Sequence, residues 1–338
     1  MSIERVEIAC GGYRAEILDL GATLRRLVLP DGANVVLGFA DLDDYLGPPL
    51  FYGAIAGRYA NRIGGARFSL DGVEYRLAAN DGENSLHSGP RGFDQQRWEI
   101  AQRDDRSVTL RHVSPDGTNG FPGTLTSEAR YEIGADGLAV SLRATTDRPT
   151  VVNLTHHAYF NLAGEDSGAS VRDHVLQLPA SRFTPTMPDA IPTGELRDVA
   201  GTAFDFRSPK PVGRDIDAAD PQLEAARGYD HNFVLDAADG ARRRVATVWH
   251  PRSGRVLDVQ STAPGVQFYS GNYLGGAAPG TSGGDYRQNS GLCLEPQLFP
   301  DSPNRAEFPS ARLDPGAEYR HDIAFRFRTA ANEDEAFG

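Results

Sequence analysis

Apolar and polar residues alternate along this chain in short runs, and turn residues separate the runs. Arg67-Phe-Ser-Leu-Asp71-Gly72-Val-Glu-Tyr-Arg-Leu77 reads as two strands joined at Asp-Gly, a dipeptide that supplies the positive φ angles of a tight hairpin. Tyr131-Glu-Ile-Gly-Ala-Asp136-Gly137-Leu-Ala-Val-Ser-Leu-Arg-Ala144 reads the same way. A third hairpin pairs Arg244–His250 with Arg255–Ser261 and turns through Pro251–Gly254. Helical periodicity is confined to a turn or two at Asp41–Leu46 and at Pro221–Arg227. Many strands and few short helices predict an all-β chain, a large antiparallel β-sandwich forming a single domain over residues 1–338. Residues 330–338 show neither period and are expected to fray.

The 338 residues, 40% of them hydrophobic and 24% charged, are ample for a large core. The 37 glycines and 22 prolines are spread out, so they punctuate strands and mark no linker. The formal net charge of -12 disfavours nucleic acid and anionic membrane surfaces as partners. Cys10 and Cys293 are too distant in sequence for a C-x-x-C metal motif or a disulfide framework, and both are expected as small buried thiols. The N-terminus lacks a basic segment followed by an apolar one, and no apolar run is long enough to span a bilayer, so the expected location is cytoplasmic.

Six polar segments are candidates for chemistry. In Gly291-Leu-Cys-Leu-Glu295-Pro-Gln-Leu-Phe-Pro-Asp301, a carboxylate closes a short apolar run, and Pro296 should end the strand there because it has no N–H to donate. In Gly57-Arg-Tyr-Ala-Asn61-Arg62-Ile63, Asn61 and Arg62 offer donors and an acceptor suited to adjacent hydroxyls. His87 sits in a loop rich in Asn and Gly, where an imidazole can donate, accept or carry a proton. In Val152-Asn-Leu-Thr-His156-His157-Ala, alternation sends neighbouring side chains to opposite faces, so only one of the two histidines can point into a given pocket. Asp230 precedes a strand, and Gln267 and Tyr269 should share one face of another. Adjacent histidines are not a metal-ligand spacing, so no metal is expected. No dinucleotide fingerprint and no phosphate loop is present, the single lysine lies in Ser208-Pro-Lys210-Pro, and there is no Gly-x-Ser-x-Gly elbow.

In their order and spacing these segments resemble the aldose 1-epimerase (galactose mutarotase) family. The likeness runs through Gly57–Ile63, Asn84–Gly89, Asn153–Leu162, Ile191–Glu195, Phe204–Phe206, Gly228–Asn232, Pro264–Asn272 and Leu292–Asp301. It implies the family's supersandwich fold, an open sugar cleft, no cofactor, a free aldose as small-molecule partner, and a monomer or homodimer. By motif, His157 corresponds to the general acid and Glu295 to the general base of α/β anomer interconversion. His87 corresponds to a second histidine at the reacting end of the sugar. Asn61, Arg62, Asp230 and Gln267 correspond to substrate-holding residues. Ser88 stands where glycine is common, and His156 where asparagine is usual. Two alternatives stay open: an epimerase of hexose 6-phosphates, which would need a cationic pocket, and a sugar-binding protein without catalysis.

Overall fold

Antiparallel pairing organises the chain into two large sheets. The computed structural model describes residues 2–47, 50–276 and 278–338. A nine-stranded sheet runs in the order Lys210–Pro211, Val175–Gln177, Arg243–Trp249, Arg255–Ser261, Tyr319–Thr329, Gly137–Thr146, Leu125–Gly134, Ser107–Ser114 and Glu99–Arg103. A six-stranded sheet runs Tyr159–Phe160, Leu292–Gln297, Gly265–Tyr269, Asp230–Val234, Arg182–Phe183 and Arg197–Asp198. A three-stranded N-terminal sheet, Arg5–Cys10, Tyr13–Leu18 and Leu24–Val28, adds its inward side chains to the same core. Among the described residues no helix is long and apolar enough to cross a membrane.

The two large sheets share one apolar interior. Val245, Val248, Leu257, Val259, Ile323 and Phe325 of the larger sheet join Phe233, Val266, Phe268, Leu292 and Leu294 of the smaller in a single buried cluster. Cutting a fully buried ring such as Phe268 back to alanine would cost about 3–5 kcal/mol. The register of the smaller sheet then decides where polar groups go. Gln267 pairs with both Asn232 and Glu295, and Tyr269 with both Asp230 and Cys293. Because side chains alternate, Phe233, Val266, Phe268, Leu292 and Leu294 face the core. Asp230, Asn232, Gln267, Tyr269, Cys293, Glu295 and Gln297 take the opposite face.

The hairpins form where the alternation places them, with one shift. Asp71 and Gly72, both at positive φ, turn the first. In the second, Gly134 pairs with Gly137, so the two-residue loop is Ala135-Asp136 and not Asp136-Gly137. Gly137 begins the next strand, where a Cβ would lie 2.0 Å from the Phe325 carbonyl oxygen; the glycine serves that close approach. Asp43–Leu46 is a short 3-10 helix, and Pro221–Ala226 is an α-helix capped by Asp220.

Two expectations need correction. Pro296 does not end its strand, which runs to Gln297. The neighbour Tyr159–Phe160 pairs only with Leu292 and Cys293, so further along that edge a missing N–H is tolerated. Nor does the tail fray. Residues Glu333–Phe337 form a helix whose N-cap, Asn332, accepts from the Glu335 N–H, while a Glu335 carboxyl oxygen accepts from the Ala331 N–H. Ala330 and Ala336 are buried with Val175, Trp249 and Val256, and Arg328 bonds the carbonyls of Glu335 and Ala336.

Candidate active site

The polar face of the six-stranded sheet forms one wall of a cavity of about 230 Å³. That is just below the ~300 Å³ at which drug-sized pockets begin, so it holds one small molecule. Its lining joins segments far apart in sequence: Asn61, Arg62, Leu86, His87, His157, Tyr159, Asp230, Tyr269 and Glu295, with Leu50, Phe51, Tyr273 and Leu274 also contributing. Six of the seven predicted site residues meet there. The seventh, Gln267, stands just behind the wall, and its Nε2 donates to Asp230 Oδ1 at 2.7 Å.

Glu295 and His157 face one another. Glu295 Oε2 has no hydrogen-bond partner and lies 3.6 Å from His157 Nε2, both side chains being almost wholly buried. Burial raises the Glu295 pKa well above the usual carboxylate range; Asp230 adds to the rise and Arg62 opposes it. Burial also lowers His157 to about 4. Both shifts oppose the carboxylate–imidazolium state expected from the residue types. Burial favours a neutral carboxyl beside a neutral imidazole, a pair that still holds one proton between its members.

His87 is held differently. Its backbone N–H donates to the Asn61 carbonyl, and the Asn61 N–H donates to His87 Nδ1, each at 3.0 Å. Burial, reinforced by His157 and Arg62, keeps the ring neutral. With Nδ1 accepting, the ring proton sits on Nε2, so His87 offers its neighbours a donor. This also bears on metal binding. Ligand atoms of His87, His157 and Glu295 lie within 4.8 Å of one another, a spacing that suits a cation. The Asn61 N–H takes one of the lone pairs such a cation would need.

Arg62 and Asp230 supply the charge. Arg62 Nε donates to Asp81 Oδ2 at 2.7 Å. Burial disfavours its charge, but Asp230 and Asp81 outweigh this and raise its pKa. Among the described residues it is the one cation lining the cavity. Phe51, Asn61 and His87 all adopt positive φ, a conformation that costs non-glycine residues of order 1–3 kcal/mol each and gathers at functional sites.

The sequence profile described as Aldose 1-epimerase matches residues 4–326. The chain belongs to the aldose 1-epimerase family. It is an enzyme of the isomerase class. The galactose mutarotase of Bos taurus is 42% identical over 333 residues, covering 97% of this chain and 95% of that protein. The aldose 1-epimerase of Escherichia coli K12 is 42% identical over 323 residues, covering 94% and 92%. Among solved structures, an aldose epimerase homologue from C. elegans superposes with a TM-score of 0.88 at 30% identity, covering 97% of this chain and all (100%) of that one. Galactose 1-epimerase from Lactobacillus acidophilus gives 0.86 at 28% identity, covering 98% and 96%.

Both departures from the family pattern lie outside the cavity lining of this aldose 1-epimerase. Ser88 Oγ accepts from the Tyr59 N–H at 2.7 Å and so braces the loop behind His87. His156 points into the core between Tyr131 and Phe325, with neither ring nitrogen partnered. Of the aromatic and apolar lining, Tyr269 alone was singled out from sequence. Phe51, whose ring centroid lies 4.5 Å from that of His87 and 5.6 Å from that of His157, carries no sequence mark of a site. Cys293 is buried as expected, whereas Cys10 is only half-buried.

Proposed function

We propose that the chain interconverts the α and β anomers of free aldoses in this cavity, with Glu295 and His157 as the proton-transfer pair. The proton that burial leaves on Glu295 passes to His157 Nε2 and gives carboxylate and imidazolium. Glu295 then takes the proton of the C1 hydroxyl while His157 gives one to the ring oxygen. The bond from C1 to the ring oxygen breaks and C1 becomes an aldehyde carbon. Rotation about C1–C2 exposes the other aldehyde face. Reclosure reverses both transfers and leaves carboxylate and imidazolium; return of the Nε2 proton to Glu295 restores the neutral pair, so atoms and protons balance. Each positioned transfer of this kind contributes about 10²–10⁴-fold.

The other groups hold the sugar. His87 donates from Nε2 to an oxygen near the reacting end. Asn61, Arg62 and Asp230 take the remaining hydroxyls, and Gln267 acts through Asp230, which it orients. The observation that carries this reading is the 3.6 Å approach of a carboxyl and an imidazole with opposite pKa displacements, since both oxygens that change protonation are bonded to a single carbon.

A free aldose fits better than a hexose 6-phosphate. The one cation lining the cavity among the described residues already pairs with Asp81, and Asp230 lines the same space, so no cationic group is left over for a phosphate dianion. The names of the relatives favour galactose and, more broadly, aldoses. Polarimetry of freshly dissolved α-anomers, with glucose and glucose 6-phosphate compared in one assay, tests the proposal. Acceleration of glucose mutarotation supports it. Acceleration of the phosphate ester alone, or sugar binding with no acceleration, contradicts it.

A further inference from the structure

We propose that Cys293 is a positioning residue that holds His157 in its Nδ1–H tautomer, so that Nε2 turns a lone pair toward Glu295 and the anomeric centre. The inference rests on the acid–base reading above and adds a residue to it.

The placement is direct. Cys293 lies two residues before Glu295 on the strand Leu292–Gln297, so both side chains take the same face. Its Sγ is 3.6 Å from His157 Nδ1, while Nε2 lies 3.6 Å from Glu295 Oε2. One short strand segment therefore addresses both ring nitrogens. The thiol is buried and stays neutral, because burial first, then Glu295 and Asp230, push its pKa up. Glu295 Oε2 faces Nε2 at 3.6 Å and has no other partner, and burial favours the protonated carboxyl, so Nε2 is the accepting nitrogen. The ring proton then belongs on Nδ1, where the sulfur is a weak acceptor. Packed around the ring are Glu295, His87, Tyr159, Phe51 and Cys293. Arg62 and Asp230 line the same cavity, and His156 is the adjacent residue.

The tautomer matters because the ring must both give and take a proton at one atom. After the imidazolium donates from Nε2, the ring is neutral and must keep its remaining proton on Nδ1 if Nε2 is to receive the proton back on reclosure. A ring that relaxes to the Nε2–H form has no lone pair facing the sugar and stalls. A carboxylate at Nδ1 would also fix the tautomer, but it would raise the basicity of the ring and keep the proton there. A neutral thiol holds the orientation without adding charge. The two cavity histidines thus sit in opposite tautomers: His87 donates from Nε2, because the Asn61 N–H occupies its Nδ1, and His157 accepts there.

The test is 15N NMR of the histidine side chains of the whole protein, with His157 assigned by its loss in His157→Asn, together with kinetics of Cys293→Ala and Cys293→Ser. The expected spectrum has His157 protonated at Nδ1 and bare at Nε2, with His87 reversed. Cys293→Ala should lower kcat about 10-fold, the lower end of the cost of removing the partner that orients a metal-bound histidine. KM should change little, the acid limb of kcat/KM should move, and Cys293→Ser should restore most of the rate. Wild-type His157 protonated at Nε2 overturns the proposal on the unmodified protein. So does a Cys293→Ala enzyme with wild-type kcat, pH profile and tautomer. Glu295→Gln assayed alongside separates the two levels. Full activity there removes the acid–base reading itself, whereas its loss beside a silent Cys293→Ala removes only the role of the thiol.

Discussion

Replacing Glu295 with glutamine changes one atom and removes the capacity to accept a proton. Oε2 makes no hydrogen bond to the protein, so the amide forfeits none at that position. Burial and Asp230 already push the carboxyl toward its neutral form, so a neutral isostere suits the buried site and the melting temperature should hold. Catalysis should not survive. The other lining carboxylate, Asp230, is tied to Gln267 Nε2 at 2.7 Å and cannot stand in without giving up that bond. Losing one positioned proton transfer costs about 10²–10⁴-fold in kcat, or about 3–5 kcal/mol of barrier. Polarimetry on fresh α-galactose and α-glucose reads the rate, and calorimetric titration reads binding, which should stay within several-fold of wild type. A Glu295→Gln protein that mutarotates within about ten-fold of wild type would refute the reasoning, as would one that loses activity only because it no longer folds.

The other predictions concern pH, the sugar-holding groups and stability. As pH falls through about 4, His157 gains a proton while Glu295 already carries one, so no base remains and kcat/KM should drop. On the alkaline side it should drop again once the pair loses its shared proton, at a pH well above the ordinary carboxylate range; a stopped-flow profile with no limb between about pH 3 and about pH 10 would contradict the pair. Asp230→Asn should raise KM by about 10–100-fold, the worth of about 1.5–3 kcal/mol for hydrogen bonds to a charged group, and lower kcat less; an unchanged KM in initial-rate assays would remove Asp230 from the binding set. Asp94 is buried with both carboxyl oxygens unpartnered, and burial raises its pKa to about 6. A folded-state pKa above the unfolded value gives stability that is present at acid pH and lost as pH rises through the folded pKa. The loss is of order 3 kcal/mol for a rise of about two pH units. Asp94→Asn should therefore stabilise the fold in urea titrations near pH 8 and not near pH 4; equal effects at both would contradict this.

What could be read from the sequence depended on local chemistry. Asp71-Gly72 carried its hairpin because the dipeptide alone satisfies the turn. Asp136-Gly137 pointed to the right hairpin one residue out of place, because a long-range approach, the Phe325 carbonyl, decides where that glycine sits. The central strands of the small sheet, Gly265–Tyr269 and Leu292–Gln297, are buried on both faces, so no apolar alternation shows which face is the core. Only the polar residues among them marked a site. Glu295 and His157 were legible as candidates because polar groups that interrupt apolar runs are expensive to bury; Asn61, Arg62, His87 and Asp230 were legible through their hydrogen-bonding capacity in loops and at strand starts, and through the family resemblance. Phe51 and Tyr159 were not, since an aromatic residue looks the same whether it packs in a core or lines a cavity. The tail helix was missed although Asn332 and Glu335 have the spacing of a capping box; the segment is too short to show a helical period. The charge state of the central pair lay beyond sequence, because it is set by desolvation that only the folded cavity imposes.

The measurement that tests the central claim most directly is a crystal structure of the Glu295→Gln protein with galactose or glucose bound. The expected complex puts the sugar's C1 hydroxyl within about 3 Å of the side chain at position 295 and the ring oxygen within about 3 Å of His157 Nε2. A sugar bound with C1 turned away, so that the groups at positions 157 and 295 touch only distant hydroxyls or no sugar atom, would contradict the account.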